Sequence, residues 1–98
     1  MSRAYTAEEA RKMFLDHMRN MSRYWANLPD KSVQDKLNGL CFSFLTMIDG
    51  ATMDLPSMDI VLRPHESDKE FLTEQGEDYF EDGMVINDCD LHEEWHER

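Results

Sequence analysis

The sequence has few of the residues that interrupt or cross-link a chain: its 98 residues include four glycines, three prolines and two cysteines. Cys41 and Cys89 are too few for a disulfide framework. No stretch rich in Pro, Gly or Ser marks a linker, and no internal repeat or low-complexity segment is present. We therefore predict one small globular domain spanning residues 1–98.

Long apolar runs are also missing. No segment approaches the roughly 20 consecutive apolar residues that a membrane-spanning helix needs. The N-terminal segment contains Arg3, Glu8 and Glu9 and lacks the apolar core of a signal peptide. We therefore expect a cytoplasmic protein that makes no membrane contact.

Positive charge is scarce, since 10 Lys and Arg face 21 Asp and Glu, for a formal net charge of −11. Direct nucleic-acid binding is not expected, because a protein that neutralises phosphates needs clustered basic residues. Residues 1–50 carry seven basic and six acidic side chains, whereas residues 51–98 carry three basic and fifteen acidic ones. The hydrophobic fraction of 41% is nevertheless too high for a disordered acidic tail.

The first half has the pattern of two helices. Thr6-Ala7-Glu8-Glu9 is a capping box, and the apolar residues after it recur every three or four positions, which predicts a helix over about residues 7–27. Ser32 can cap a second amphipathic helix that ends at Gly50 in left-handed geometry. The short link between them predicts antiparallel neighbours. Cys41 falls in the apolar stripe of the second helix, where we expect a small core residue.

The second half is less regular. Residues 59–63, just before Pro64, have the pattern of a short strand, and residues 83–86 have that of a second strand that pairs with the first. The predicted fold class is α+β and mostly helical. An N-terminal antiparallel helical hairpin is followed by a small acidic C-terminal half with two short strands and one or two short helices.

Two short helices are predicted beside these strands. Ser67-x-x-Glu70 is a second capping-box pattern and predicts a helix over about residues 67–80. Either Asn87 or Asp88 is placed to cap a last helix over about residues 89–97.

The string His92-Glu93-Glu94-Trp95-His96 satisfies the pattern H-E-x-x-H. On a helix, His92 and His96 lie one turn apart on the same face, where two imidazoles can bind one zinc ion while the intervening glutamate polarises a water. By these five residues the chain resembles a zincin. The resemblance implies that His92 and His96 are zinc ligands and that Glu93 is the catalytic base.

A catalytic zinc needs a third protein ligand, and only Glu97 and Arg98 follow the string. We therefore look for that ligand upstream, where His65, Glu66 and Asp68 have suitable side chains. The competing interpretation is a surface helix whose apolar face is Leu91 and Trp95, and it is the one we favour. A small zinc-binding protein or zinc hydrolase remains the alternative function.

The main functional feature is the acidic half, in which carboxylates surround aromatic side chains. Such a surface steers toward a basic partner and disfavours acidic ones. We predict a non-enzymatic, acidic protein-interaction domain, an accessory or inhibitory protein that engages a basic protein surface and needs no cofactor. The partner-binding residues predicted are Glu77, Asp78, Tyr79, Phe80, Glu81 and Asp82.

Two other interpretations of the chain are kept. The acidic half can be a solvated surface that only keeps the protein in solution. The methionine and aromatic stripe of the first helix can be shared between the subunits of a purely structural homodimer.

Three stretches resemble a family: residues 39–50, Pro64-His65-x-x-Asp68-Lys69-Glu70, and Ile86-Asn87-Asp88-x-x-Leu91-His92-Glu93. Together they are similar to an uncharacterised family of small acidic proteins from bacteria and their phages. The resemblance implies a compact cytosolic domain and assigns no catalytic residue. In that family Leu-His-Glu is followed by aromatic residues without a match to His96, which argues against the zincin interpretation.

Overall fold

The computed structural model describes residues 2–95. Over that range it contains four α-helices, which are α1 (Ala7–Ala26), α2 (Val33–Ile48), α3 (Asp68–Glu74) and α4 (Leu91–Trp95). None of these helices has the length and apolarity required to cross a membrane. The described chain divides into two compact units. The first unit runs to Ser57 and resumes at Asp90, and the second unit is Met58–Cys89.

Helix α1 begins with the predicted capping box. The backbone N–H of Glu9 donates to Thr6 Oγ1 (3.1 Å), and the backbone N–H of Thr6 donates to Glu9 Oε1 (2.9 Å). Arg3 donates to both carboxylate oxygens of Glu9 at 2.7 Å. The hydrogen bond from Arg3, followed by the one from the Thr6 backbone, lowers the pKa of Glu9 to about 2. The capping box is therefore confirmed and occupied by an ionised carboxylate.

Helices α1 and α2 pack against each other as the predicted hairpin. Trp25 Nε1 donates to Ser43 Oγ (2.8 Å), and the rings of Phe14 and Phe44 meet edge to face with centroids 6.4 Å apart. Lys36 Nζ near the start of α2 donates to Ala26 O at the end of α1 (3.0 Å), as expected for antiparallel helices joined by a short link.

Cys41 on α2 is exposed, so its predicted place in the core is wrong. Helical periodicity indicates which side of the helix a residue lies on, but it does not determine whether that residue is buried.

The core of the first unit lies at the end of α2. Among the residues that the structure describes, Met47, Ile48 and Leu55 are buried. Gly50 has a φ of 78°, and a Cβ atom at this position would collide with the backbone of Ser57. Only glycine fits here, because the turn needs a left-handed conformation and the backbone of Ser57 passes close to it.

The predicted α+β class is wrong, because residues 2–95 are 51% helical and contain no strand. The two segments expected to be strands meet at one isolated antiparallel bridge between Val61 and Val85. Beyond the bridge, the backbone N–H of Ile60 donates to Asn87 Oδ1 (2.8 Å) rather than to a carbonyl. On the other side Gly83 turns the chain with a φ of 80°, and Pro64 lacks an N–H. The pairing therefore stops before it becomes a ladder.

The short helices begin and end differently from the predictions. Helix α3 ends at Glu74, before Gly76 with its φ of 72°, and Ser67 makes no side-chain cap. Asp68 instead accepts the backbone N–H of His65 through Oδ2 (3.1 Å). Helix α4 begins at Leu91, later than predicted, and its predicted end lies outside the described residues.

Candidate functional site

Hydrogen bonds to a buried carboxylate join the end of α2 to the start of α4. Asp49 is the residue that follows α2, and its side chain is only 2% exposed. Its Oδ2 accepts two hydrogen bonds from one residue, from the backbone N–H of His92 (2.8 Å) and from the ring Nδ1 of His92 (2.6 Å). Asp49 therefore positions both the start of α4 and the imidazole.

The electrostatics of this contact favour an ionised Asp49. Burial by itself raises the pKa of Asp49, but the hydrogen bonds from the backbone and ring of His92, with that from the Leu91 backbone, outweigh it. The pKa of Asp49 therefore lies below its ordinary value of 3.8. A buried carboxylate in this state is held by charge-assisted hydrogen bonds, which are stronger than neutral ones.

Two further side chains complete the surroundings of His92. The ring of Phe42 meets the imidazole edge to face, with centroids 5.8 Å apart and planes at 76°. Phe42 of α2 therefore packs against the start of α4. The side chain of Asp90 is exposed, and potential ligand atoms of Asp49, Asp90 and His92 all lie within 4.8 Å of one another. This set is called the Asp–Asp–His cluster below.

The residues of the H-E-x-x-H string are placed as follows. His92 is half-buried at the start of α4, and Glu93 is exposed. His96 lies outside the described residues, so the three-histidine zinc site stays a prediction. His65 belongs to the second unit, where its Nδ1 accepts the backbone N–H of Ser67 (3.2 Å) and lies 2.7 Å from the Ser67 hydroxyl.

The predicted partner-binding residues Glu77–Asp82 follow α3 in the second unit and are all exposed. They have no helical structure, since the chain leaves α3 at Gly76 and the backbone N–H of Glu77 donates to Leu72 O (2.9 Å). This segment is called the acidic loop below. Its carboxylates and aromatic rings are therefore held in an irregular, solvent-facing stretch of chain.

One lysine contacts the acidic loop from α3. Lys69 Nζ lies 3.3 Å from Glu81 Oε1 and 5.1 Å from the centre of the Tyr79 ring. Its hydrogen bond to Glu81, then the charge of Glu81 and the proximity of Tyr79, raise the pKa of Lys69. The contact shows that the loop already accommodates a cation beside an aromatic ring and a carboxylate.

A cavity of about 200 Å³ borders the same loop. Glu66, Lys69, Phe80, Glu81 and Asp82 are among its lining residues. Phe80 is 67% exposed, although a large aromatic side chain is usually buried. The cavity therefore combines an apolar ring with three carboxylates and one lysine.

The whole second unit is open to solvent. Across Met58–Cys89, all of which the structure describes, no residue is buried. The same segment carries ten carboxylates and two basic side chains. Its exposed large apolar residues are Val61, Phe71, Tyr79, Phe80, Met84, Val85 and Ile86.

No protein-family model, curated protein or solved structure matches this chain. The resemblance to small acidic bacterial and phage proteins therefore stays a prediction. Two arrangements of the described residues have functional chemistry, the Asp–Asp–His cluster and the acidic loop.

Proposed function

We propose that the protein is a non-enzymatic interaction module that binds a basic surface of a partner protein through its acidic loop. The observation that carries this proposal is the exposure of Phe80 beside Glu81 and Asp82 at the rim of a cavity. The proposed role is that of an accessory or inhibitory protein, which acts by occupying the basic surface of its partner.

Charge supports a basic partner. Ten carboxylates against two basic side chains in the second unit attract cations and repel phosphates and anionic lipids. Such a field raises the association rate and selects among partners more than it adds affinity. A nucleic acid or a membrane surface is therefore disfavoured as the direct partner.

The chemistry of the cavity supports an arginine or lysine as the contacting residue. A guanidinium group can pair with a carboxylate and stack on an aromatic ring at the same time. Phe80 supplies an exposed ring, and Glu81 and Asp82 supply the carboxylates. The contact of Lys69 with Tyr79 and Glu81 is an internal example of the same chemistry.

The proposal is tested with an arginine–glycine repeat peptide titrated into the isotope-labelled protein and followed by NMR. Shift changes are expected in the acidic loop, and the affinity should fall as salt is raised, because exposed charge pairs are screened. A peptide with citrulline in place of arginine keeps the shape and loses the charge, so it should not bind.

The matched variants separate a local site from a general acidic field. Glu81→Gln with Asp82→Asn should weaken peptide binding about two- to tenfold, as expected for two exposed charge pairs. Glu8→Gln with Asp35→Asn changes the net charge equally, but on the first unit, and should leave binding nearly unchanged. Equal losses in both double variants, or a tight complex indifferent to salt, would contradict the proposal.

A further inference from the structure

We propose that Asp49, Asp90 and His92 form a binding site for a divalent transition-metal ion, with Zn²⁺ the ion that suits it best. The site belongs to the first unit and is independent of the partner surface proposed above. It also differs from the H-E-x-x-H interpretation, because it pairs His92 with two carboxylates instead of with His96.

Three potential ligand side chains converge at this site. Their potential ligand atoms lie within 4.8 Å of one another, although Asp49 is separated from the other two by more than forty residues of sequence. Zinc binds nitrogen and oxygen ligands at about 2.0–2.2 Å, so two ligand atoms of one tetrahedral ion lie about 3.3 Å apart. Binding the ion therefore requires His92 Nδ1 and Asp49 Oδ2, now 2.6 Å apart, to separate by about 0.7 Å. Asp90, whose side chain is exposed, has to close a gap of up to about 1.5 Å.

Two of the three ligands, Asp49 and His92, are already oriented. The Asp49 carboxylate is 2% exposed and accepts the backbone N–H of His92 at 2.8 Å. The imidazole is held between this carboxylate and the ring of Phe42. Ligands that are fixed before binding lose little conformational freedom when the ion arrives, and neighbours of this kind orient the ligands in metal sites.

The ligand types at the Asp–Asp–His cluster favour a transition-metal ion. Calcium and magnesium prefer sites made of oxygen ligands, whereas an imidazole beside carboxylates suits zinc and its neighbours. The ion takes the place of the hydrogen between His92 Nδ1 and Asp49 Oδ2, and the neutral imidazole then carries its proton on Nε2. The backbone N–H of His92 still donates to Asp49, so the start of α4 is retained.

The decisive measurement is competition for Zn²⁺ between the metal-free protein and a chromogenic chelator. The parent should bind one Zn²⁺ per chain, and Asp90→Asn should weaken that binding at least about tenfold, since even the loss of a residue that supports a ligand typically costs that much. Because the Asp90 side chain is exposed, this variant is expected to keep the fold, which circular dichroism checks.

Four matched variants locate the ion. Asp88→Asn makes the same change in charge two residues away and should bind like the parent. Glu93→Gln and His96→Ala should also bind like the parent, because the proposed site uses neither side chain. Glu81→Gln with Asp82→Asn should leave Zn²⁺ binding unchanged, which separates this site from the partner surface.

The proton on the imidazole gives a second readout. Zinc should shift the side-chain nitrogen signals of His92 to those of an imidazole ligated at Nδ1 and protonated at Nε2. Equal Zn²⁺ affinity in the parent and in Asp90→Asn would overturn the proposal. Loss of binding in His96→Ala but not in Asp90→Asn would also overturn it and would assign the ion to the H-E-x-x-H string.

Discussion

Asp49 joins the end of α2 to the start of α4 through a single side chain. Its carboxylate is almost fully buried and accepts hydrogen bonds from both the backbone and the ring of His92. Hydrogen bonds to a charged group contribute more than neutral ones. No other described contact between carboxylate and imidazole ties residues so far apart in the sequence.

Replacing Asp49 with alanine should lower the free energy of unfolding of the metal-free protein by about 2–3 kcal/mol, because two hydrogen bonds to a buried charge are lost. Urea unfolding in the presence of a chelator measures this change. The replacement should also release α4, which hydrogen exchange at the amide of His92 reports.

A double-mutant cycle with His92→Ala separates the contact from its surroundings. The two replacements together should cost clearly less than the sum of the single ones, since either one removes the same pair. Additive losses would show that Asp49 and His92 contribute to stability independently.

At the scale of elements, the packing of α1 on α2 depends on a close approach at Gly39. A Cβ atom added there would overlap the ring of Trp25. The indole cannot move freely, because its Nε1 donates to Ser43 Oγ at 2.8 Å. The glycine is therefore needed for space at the helix interface.

Gly39→Ala tests this packing. Alanine forms helix better than glycine by about 1 kcal/mol, so an open position would be stabilised. We expect destabilisation instead, by about 1–3 kcal/mol, because overpacking forces the indole or the helix to shift. Thermal unfolding gives the sign directly.

Asn38→Ala is the matched control for this test. It changes the neighbouring exposed position and removes only a surface hydrogen bond from Gln34. Its effect should be close to zero. A Gly39→Ala protein that is as stable as the parent would mean that α1 and α2 pack less closely than the structure has them.

At the scale of the whole molecule, charge opposes folding. A net charge of −11 on 98 residues favours expansion through self-repulsion. The repulsion is concentrated in Met58–Cys89, where no apolar side chain is fully buried and apolar packing compensates little. Salt is the simplest way to weaken it, because the screening length falls from about 30 Å at 0.01 M to about 10 Å at 0.1 M.

The melting temperature should therefore rise as sodium chloride is added between these two concentrations, with a chelator present throughout. Glu77→Gln with Asp78→Asn should raise the melting temperature at low salt and lose this advantage at high salt. A melting temperature that falls with salt would show that ion pairs such as Arg3–Glu9 outweigh the repulsion.

Local sequence patterns account for the helix caps and the turn of the first half. Thr6 and Ser32 cap α1 and α2 as predicted, and Gly50 takes its left-handed conformation. These features depend on contacts between residues a few positions apart, so a short stretch of sequence is enough to predict them. The helical periodicity is equally local, and it was enough to predict the hairpin.

The second half shows where local patterns stop being sufficient. The segments around Val61 and Val85 do meet. The backbone N–H of Ile60, however, donates to the side chain of Asn87 and not to a backbone carbonyl of the other segment, so the pairing does not extend. Ser67 has a capping sequence, yet its hydroxyl lies 2.7 Å from His65 Nδ1 and caps no N–H of α3. Neighbouring polar groups compete for the same hydrogen-bond partner, and the pattern does not say which one prevails.

The partners of His92 come from positions far away in the sequence, and folding brings them together. The H-E-x-x-H string singled out this residue, but Asp49, forty-three positions earlier, lies in a stretch with no pattern that links it to His92. The contact exists because α2 ends where α4 begins in space, with Phe42 packed against the same imidazole. This proximity depends on the packing of the helices and on the turn at Gly50, and the spacing of residues in the sequence does not predict it.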